Sequence, residues 1–303
     1  MKPKRDGPAR PQPVPGHNPP AIRCLARGTG WRIDEVVCRA GPGDAPFEER
    51  HGSVSIAAVV EGTFQYRCSA GRALLYPGAF LLGNAGTCFE CGHDHGAGDR
   101  CIAFQFAPDY FEDIAATAAG SSRFHFPMAM LPPLPAMMGL AVAAEDAAFS
   151  GLLAAEELAI RIAERTLRLA SGHSMGHAAP SARDEKRISA ALRLIEARAG
   201  DPLDLDALAQ AAAMSKYHFL RTFRRLVGCT PYRYLRGLRL RRAALALTVT
   251  RQPVAAIALE AGFGDISTFN AYFRQVFGAA PSQMRGGDRG RGGLMPLEGR
   301  KAF

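Results

Sequence analysis

The sequence predicts an α+β protein of two domains, a β-rich N-terminal domain and an all-α C-terminal domain. Its 303 residues exceed the roughly 100 to 200 of one typical domain. Short apolar runs separated by glycine occupy residues 22–106, whereas apolar residues recur at helical spacing from residue 184 to residue 285. The net charge of +9 is also unevenly divided. Residues 184–286 hold 16 basic and 8 acidic side chains, and residues 11–183 hold 13 and 17.

The composition excludes several classes of protein. With 48% hydrophobic and 21% charged residues, the chain is not disordered throughout. No run approaches the ~18 apolar residues of a membrane span, and the basic N-terminus lacks the apolar stretch of a secretory signal. We therefore expect a cytoplasmic protein with no membrane partner. Its seven cysteines, an odd number, are expected to be thiols rather than a disulfide framework.

The N-terminal half is expected to begin with a disordered basic tail over residues 1–20, which are rich in proline and lack a hydrophobic period. Residues 21–135 follow as a domain whose apolar runs are each succeeded by turn residues. Several short strands at near-regular spacing predict a β-barrel or a β-sandwich. The runs are residues 54–60, 73–76, 79–82 and 102–106.

Helical spacing returns over residues 140–171, where leucine and isoleucine form a broad apolar stripe. Such a stripe packs either on its own β-domain or on a partner subunit, and the second arrangement makes this a helical dimerisation segment. Residues 172–183 lose the period and are predicted to be a linker. Glycine-rich residues 287–303 are predicted to be a flexible tail.

The basic domain, residues 184–286, contains two helix-turn-helix patterns. In the first, a short Ala-rich helix ends before Ser215, which is a suitable N-cap for a second helix. In the second, a turn at Gly262 precedes a helix capped by Asp265 or Ser267. Each second helix has aromatic residues on one face and longer polar side chains on the other, as a DNA-reading helix requires. The aromatic pairs are Phe219 with Phe223 and Phe269 with Phe273.

On these residues the domain resembles the double helix-turn-helix domain of the AraC/XylS family of bacterial transcription regulators. The resemblance covers residues 184–286 and implies seven helices, with a long linking helix over residues 231–248 between two recognition helices. It also implies a cupin-like N-terminal β-barrel that senses an effector and mediates dimerisation. The matching residues are Ile257, Ala258, Ala261, Gly262, Phe263, Phe269, Phe273, Phe277, Gly278 and Pro281, together with Thr230, Pro231, Tyr234, Leu235, Leu238, Arg239, Leu240 and Ala243.

The resemblance and the outward faces of the two patterns define a candidate set of DNA-contact residues. Two members depart from the family: Leu220 is apolar where a hydrogen-bonding residue is common, and Ala271 is small where an arginine can occur. For the arginines, a solvated helix face is the alternative to DNA contact. The set is Tyr217, Leu220, Arg221, Arg224, Arg225, Ser267, Thr268, Asn270, Ala271 and Arg274.

Cysteines and histidines cluster in the β-domain. In an extended strand Cys91, His93 and His95 point to one side, and Cys101 returns after a glycine-rich turn. The four side chains are therefore a candidate site for zinc or another transition metal. The alternative is that the cysteines are small buried hydrophobic residues near a hairpin tip. The sequence identifies no other cofactor.

These features predict a sequence-specific DNA-binding transcription regulator, not an enzyme, that responds to an effector or to a redox or metal signal. Its expected partners are double-stranded promoter DNA, RNA polymerase, a small-molecule effector and a second copy of the chain in a homodimer. The alternative is a metal-dependent cupin enzyme fused to a DNA-binding module, because His93, His95 and Asp99 are similar to the metal motif of catalytic cupins.

Overall fold

The computed structural model describes residues 19–44, 48–94, 96, 98–146, 152–171 and 181–287. The predicted basic tail, linker and glycine-rich tail lie mostly outside the described residues, and His95 is also outside them. Within the described residues the chain has the predicted two-domain α+β organisation. All of its strands precede residue 132, and seven helices follow residue 181.

Two antiparallel sheets form the β-domain. In spatial order, the larger sheet contains β1 (Ala21–Gly28), β2 (Trp31–Cys38), β9 (Asp99–Phe106), β4 (Val54–Gly62), β7 (Phe80–Gly83) and β10 (Met130–Leu131). The smaller sheet contains β3 (Glu48–Arg50), β8 (Cys88–Gly92), β5 (Phe64–Cys68) and β6 (Gly71–Leu75).

The strands of the described residues do not close into the expected cupin-like barrel. Strands β1 and β10 are the edges of one sheet, β3 and β6 are the edges of the other, and no backbone pairing joins the two sheets. The sheets instead pack through side chains, since Val59 of β4 and Phe64 and Tyr66 of β5 share one buried cluster. Short alternating strands are common to barrels and to sandwiches, so the pattern in the sequence did not determine whether the sheet closes.

Three helices complete the N-terminal part: α1 (Pro108–Ala119), α2 (Pro135–Asp146) and α3 (Leu152–Ser171). The apolar stripe predicted over residues 140–171 thus belongs to two helices. Leu158, Ile162 and Leu167 of α3 are buried in the same cluster as Phe104 of β9. These three α3 side chains therefore pack on the protein's own β-domain, the first of the two expected arrangements.

Seven helices form the C-terminal part within residues 181–287. They are α4 (Ala182–Ala197), α5 (Leu205–Ala211), α6 (Lys216–Val227), α7 (Pro231–Val249), α8 (Val254–Glu260), α9 (Ile266–Phe277) and α10 (Pro281–Gly287). Five of them begin at a polar side chain that accepts a backbone N–H of the first turn, and these capping residues are Ser181, Asp204, Ser215, Thr230 and Asp265. In the described part of the chain, no helix combines the length and the apolar character that crossing a bilayer requires.

Candidate nucleic-acid interface

The first helix-turn-helix unit consists of α5 and α6. The Ser215 hydroxyl accepts a hydrogen bond from the His218 N–H at 3.4 Å, which confirms Ser215 as the N-cap of α6. Phe219 and Phe223 are fully buried, whereas Leu220 on the other face is 37% exposed. One face of α6 is therefore anchored in the core, and the other is open to solvent.

The turn between α5 and α6 has an unusual backbone conformation at Ala213. Its φ of 48° is left-handed, and among the described residues no other non-glycine residue has a positive φ. The Ala213 N–H donates to the Gln210 carbonyl at 2.9 Å, and the Met214 N–H donates to the Ala209 carbonyl at 3.0 Å. These hydrogen bonds hold the strained turn and thereby set the angle between the two helices.

The second unit consists of α8 and α9. Of the two expected caps, Asp265 is the one observed: its carboxylate accepts the Thr268 N–H at 2.7 Å. Hydrogen bonds from Thr268 lower the pKa of Asp265 below its ordinary value. Phe269 and Phe273 are fully buried. The turn uses Gly262, whose φ of 88° and close neighbours exclude a side chain.

The predicted DNA-contact residues lie on the outward sides of α6 and α9. Tyr217 lies in α6, but its side chain is outside the described part of the structure, and Asn270 is half-buried. Arg225 is exposed but donates to Asp184 of α4 at 2.8 Å, so its charge is partly balanced within the protein. The exposed members of the set are Leu220, Arg221, Arg224, Arg225, Ser267, Thr268, Ala271 and Arg274.

Arg239 of the linking helix α7 holds the two units together. Its Nε donates to the Ala199 carbonyl at 2.6 Å, its Nη2 to the Asp201 carbonyl at 2.7 Å, and its Nη1 to the Gly262 carbonyl at 2.7 Å. Ala199 and Asp201 lead from α4 into the first unit, and Gly262 is in the turn of the second. The sequence interpretation matched Arg239 to the family pattern but did not predict this role.

A second contact between α7 and α9 was also absent from the sequence interpretation. The Arg236 guanidinium lies 4.0 Å from the centre of the Tyr272 ring and 5.7 Å from that of Tyr232. Tyr232 and Arg236 are one helical turn apart, a spacing that is visible in the sequence. Tyr272 joins them only because α9 packs on α7. This contact further restricts the position of α9 relative to the linking helix.

The β-domain packs directly on the helices of the C-terminal domain. Arg241 of α7 is buried, donates to the Val60 carbonyl at 3.0 Å, and lies 3.4 Å from the Glu145 carboxylate of α2. Arg72 of β6 forms an ion pair with Glu185 of α4 at 2.6 Å. Burial raises the pKa of both carboxyl groups, and their arginine partners oppose that shift. These polar contacts connect the two domains. Separating the domains would leave buried charged groups without their partners, which costs free energy.

A cleft of about 760 Å³ lies beside these contacts, between the two domains. The β-domain contributes Glu61 and Arg100 to its walls, and α4 and α7 contribute Glu196 and Arg242. Its volume is within the range of small-molecule binding sites, roughly 300–1,000 Å³. The cleft therefore has the size and the mixed charge to hold a small polar molecule.

The predicted metal residues are only partly brought together. His93 Nε2 lies 2.6 Å from Asp99 Oδ2, and the third member of this group is Cys38, which was not among the metal candidates predicted from the sequence. Cys91 and Cys101 are outside the group, although the Cys101 thiol lies 3.9 Å from Asp99 Oδ1. Burial alone would lower the pKa of His93, but hydrogen bonds to Asp99 and Cys38 outweigh it and raise the pKa to about 9.

The C-terminal domain matches known proteins in sequence. Residues 208–287 match a family model described as a helix-turn-helix domain. A protein of Haemophilus influenzae named an uncharacterized HTH-type transcriptional regulator is 36% identical over 101 residues, which are 33% of this chain and 34% of that protein. The chain thus spans about a third of the length of the first curated relatives that it matches.

Two other relatives are matched over most of their length. The HTH-type transcriptional activator AarP of Providencia stuartii is 36% identical over 111 residues, which are 37% of this chain and 82% of AarP. The regulatory protein SoxS of Escherichia coli is 33% identical over 101 residues, which are 33% of this chain and 94% of SoxS.

Proposed function

The chain belongs to the AraC family of DNA-binding transcription regulators, and we propose that it binds specific promoter sites through α6 and α9 in response to a signal received by its β-domain. One observation carries this proposal: both helices are anchored by aromatic residues on one face and open on the other, and Arg239 holds their two units on one linking helix. Such a pair can enter two successive major grooves, about 34 Å apart along one side of the DNA.

The exposed side chains have different proposed roles. Arg221 can donate two hydrogen bonds to a guanine edge, and Leu220 can contact a thymine methyl group. Ala271 is too short to reach far into a groove, so α9 is assigned more to backbone contacts, through Thr268 and Arg274. The basic excess of the C-terminal domain supplies attraction to phosphates that does not depend on DNA sequence.

The β-domain is proposed to control DNA binding through its contacts with α4 and α7. The Arg72–Glu185 ion pair and the Arg241–Val60 hydrogen bond connect it to the helices that support both units. A small polar effector in the cleft between the domains would change these contacts and so the placement of α6 and α9. A regulator bound at a promoter would then act by contacting RNA polymerase or by excluding it.

Selection of DNA by the full-length protein tests the proposal. The chain is incubated with a random double-stranded pool, bound DNA is amplified, and affinities are measured by fluorescence anisotropy at fixed salt. We expect an enriched site that binds at least about a hundredfold more tightly than a shuffled sequence. A pool that shows no enrichment would contradict the proposal.

A matched pair of substitutions locates the binding surface. Arg221→Ala is expected to weaken binding to the selected site about tenfold or more, since it removes a base or phosphate contact. Arg168→Ala removes the same charge from an exposed position of α3 and should change the affinity by less than about twofold. Equal effects of the two substitutions would show that the DNA does not bind at the exposed face of α6.

A further inference from the structure

Three metal-ligating side chains that take no part in the proposed DNA contacts lie together in the β-domain. They are Cys38 at the end of β2, His93 just after β8 and Asp99 at the start of β9. A sulfur, a ring nitrogen and a carboxylate oxygen from the three residues all lie within 4.8 Å of one another. Over the part of the chain that the structure describes, no other three Cys, His, Asp or Glu residues meet this condition.

We propose that Cys38, His93 and Asp99 bind one divalent transition-metal ion, with Zn²⁺ as the best match. Thiolate, imidazole and carboxylate are the side-chain ligands of zinc sites, whereas Ca²⁺ and Mg²⁺ sites are built from oxygen ligands. Cys38 and Asp99 also line the cleft between the domains. The cleft thus adjoins two of the three ligands, and a water molecule or an effector that enters it can supply the fourth ligand.

The spacing of the three residues suits a tetrahedral ion after a small side-chain movement. Zinc–ligand distances of about 2.0–2.3 Å place the ligand atoms roughly 3.3–3.8 Å from one another. His93 Nε2 and Asp99 Oδ2 are 2.6 Å apart because they share a hydrogen bond. An ion replaces that proton and separates the two atoms by about 1 Å, which rotation about side-chain bonds provides.

The backbone holds two of the ligands side by side. Cys38 and Asp99 are directly opposed residues of β2 and β9, so their side chains leave the sheet on the same face. Gly98, which precedes Asp99, has a φ of 72°. A Cβ atom at Gly98 would lie 2.5 Å from the Cys38 carbonyl oxygen. Only glycine permits this close approach of the two strands.

Neighbouring side chains orient the other ligand atoms. The Cys101 thiol donates to Asp99 Oδ1 at 3.9 Å, and the Phe64 ring stacks on His93 with the ring centroids 5.9 Å apart. The side chains of His93 and Asp99 are each only 5% exposed. Buried ligands supported by further contacts of this kind are typical of metal sites, because the contacts fix the ligand rotamers before the ion binds.

Cobalt binding to the full chain tests the proposal. The protein is treated with a chelator under reducing conditions, and Co²⁺ is then titrated while absorbance is recorded. We expect one equivalent of Co²⁺ to produce a sulfur-to-cobalt charge-transfer band and the intense visible bands of tetrahedral cobalt, and we expect Zn²⁺ to displace it. Zn²⁺ should also raise the thermal midpoint of the wild-type chain, a measurement that requires no variant.

Two variants test the ligands, and a third is the control. Cys38→Ser should remove the charge-transfer band, and Asp99→Asn should weaken Co²⁺ binding at least about tenfold. Cys24→Ser removes an exposed cysteine of β1 and should bind as the wild type does. Circular dichroism establishes that each variant is folded. A wild-type chain without the band, or a band that survives Cys38→Ser, would overturn the proposal. The titration contains no DNA, so this outcome is independent of the proposed function.

Discussion

The rings of Tyr76 and Tyr234 meet edge to face across the boundary between the β-domain and α7, with their centroids 5.5 Å apart. The Tyr76 hydroxyl donates to the Val227 carbonyl at 2.9 Å, and the Tyr234 hydroxyl donates to the Pro77 carbonyl at 3.1 Å. Each tyrosine thus binds the backbone of the opposite domain. Because Val227 is the last residue of α6, the β-domain is connected directly to one of the two helices proposed to bind DNA.

Tyr76→Phe is expected to lower the free energy of unfolding of the full chain by about 1–2 kcal/mol, because the Val227 carbonyl stays buried without its donor. Urea denaturation followed by circular dichroism measures the change. Tyr232→Phe is the control: it removes a hydroxyl from a side chain that is 63% exposed and should cost less than about 0.5 kcal/mol. Equal stability of Tyr76→Phe and the wild type would show that this bond does not stabilise the interface.

Arg239→Lys is expected to destabilise the C-terminal domain by about 2–4 kcal/mol and to weaken binding to the selected site, since one ammonium group cannot replace a guanidinium that reaches three carbonyls. Thermal unfolding and anisotropy measure the two effects. In the control Arg242→Lys, an exposed guanidinium loses its hydrogen bond to the Glu196 carbonyl, which is 2.8 Å long. If Arg242→Lys lowers the stability and the DNA affinity as much as Arg239→Lys does, the hydrogen bonds from Arg239 to three carbonyls are not what holds the two units together.

Arg224 and Arg225 are neighbours that should differ in their contribution to DNA binding. Arg224→Ala is expected to reduce the slope of log affinity against log salt by about 0.9, the value for one phosphate contact. Arg225→Ala should reduce it less, because Asp184 already pairs with that side chain. Anisotropy titrations at several salt concentrations give both slopes. A larger effect at Arg225 would contradict this order.

Asp265 is expected to make stability depend on pH in acid. Hydrogen bonds from Thr268 lower its pKa in the folded chain, so ionisation favours folding. This contribution is complete above the unfolded pKa of about 3.9 and is lost as the pH falls through the lowered folded value. Asn is also a good N-cap but does not ionise.

The thermal midpoint of Asp265→Asn should therefore fall less than that of the wild type between about pH 5 and pH 2. Asp113→Asn removes an exposed carboxyl group from α1 and should leave the wild-type profile unchanged. Parallel profiles for Asp265→Asn and the wild type would mean that the cap does not contribute to acid stability.

The helices of the C-terminal domain were predictable because their signals are local. Ser215 and Asp265 precede aromatic residues spaced at i and i+4, and the structure confirms both as N-caps. Side-chain partners were less predictable. Arg225 has the outward spacing of a DNA-contact residue, yet it pairs with Asp184 because α4 packs on α6.

By itself, the sequence determined the division into a β-rich domain and a basic helical domain, and the two helix-turn-helix units. These features depend on spacing within short windows and on the identity of capping residues, and both can be read along the chain. Only the tertiary structure decided that the two sheets remain separate, that Cys38 joins His93 and Asp99, and that Tyr76 and Tyr234 connect the domains. These relationships depend on contacts between residues far apart in the chain, and no local period specifies which distant strands and helices will pack together.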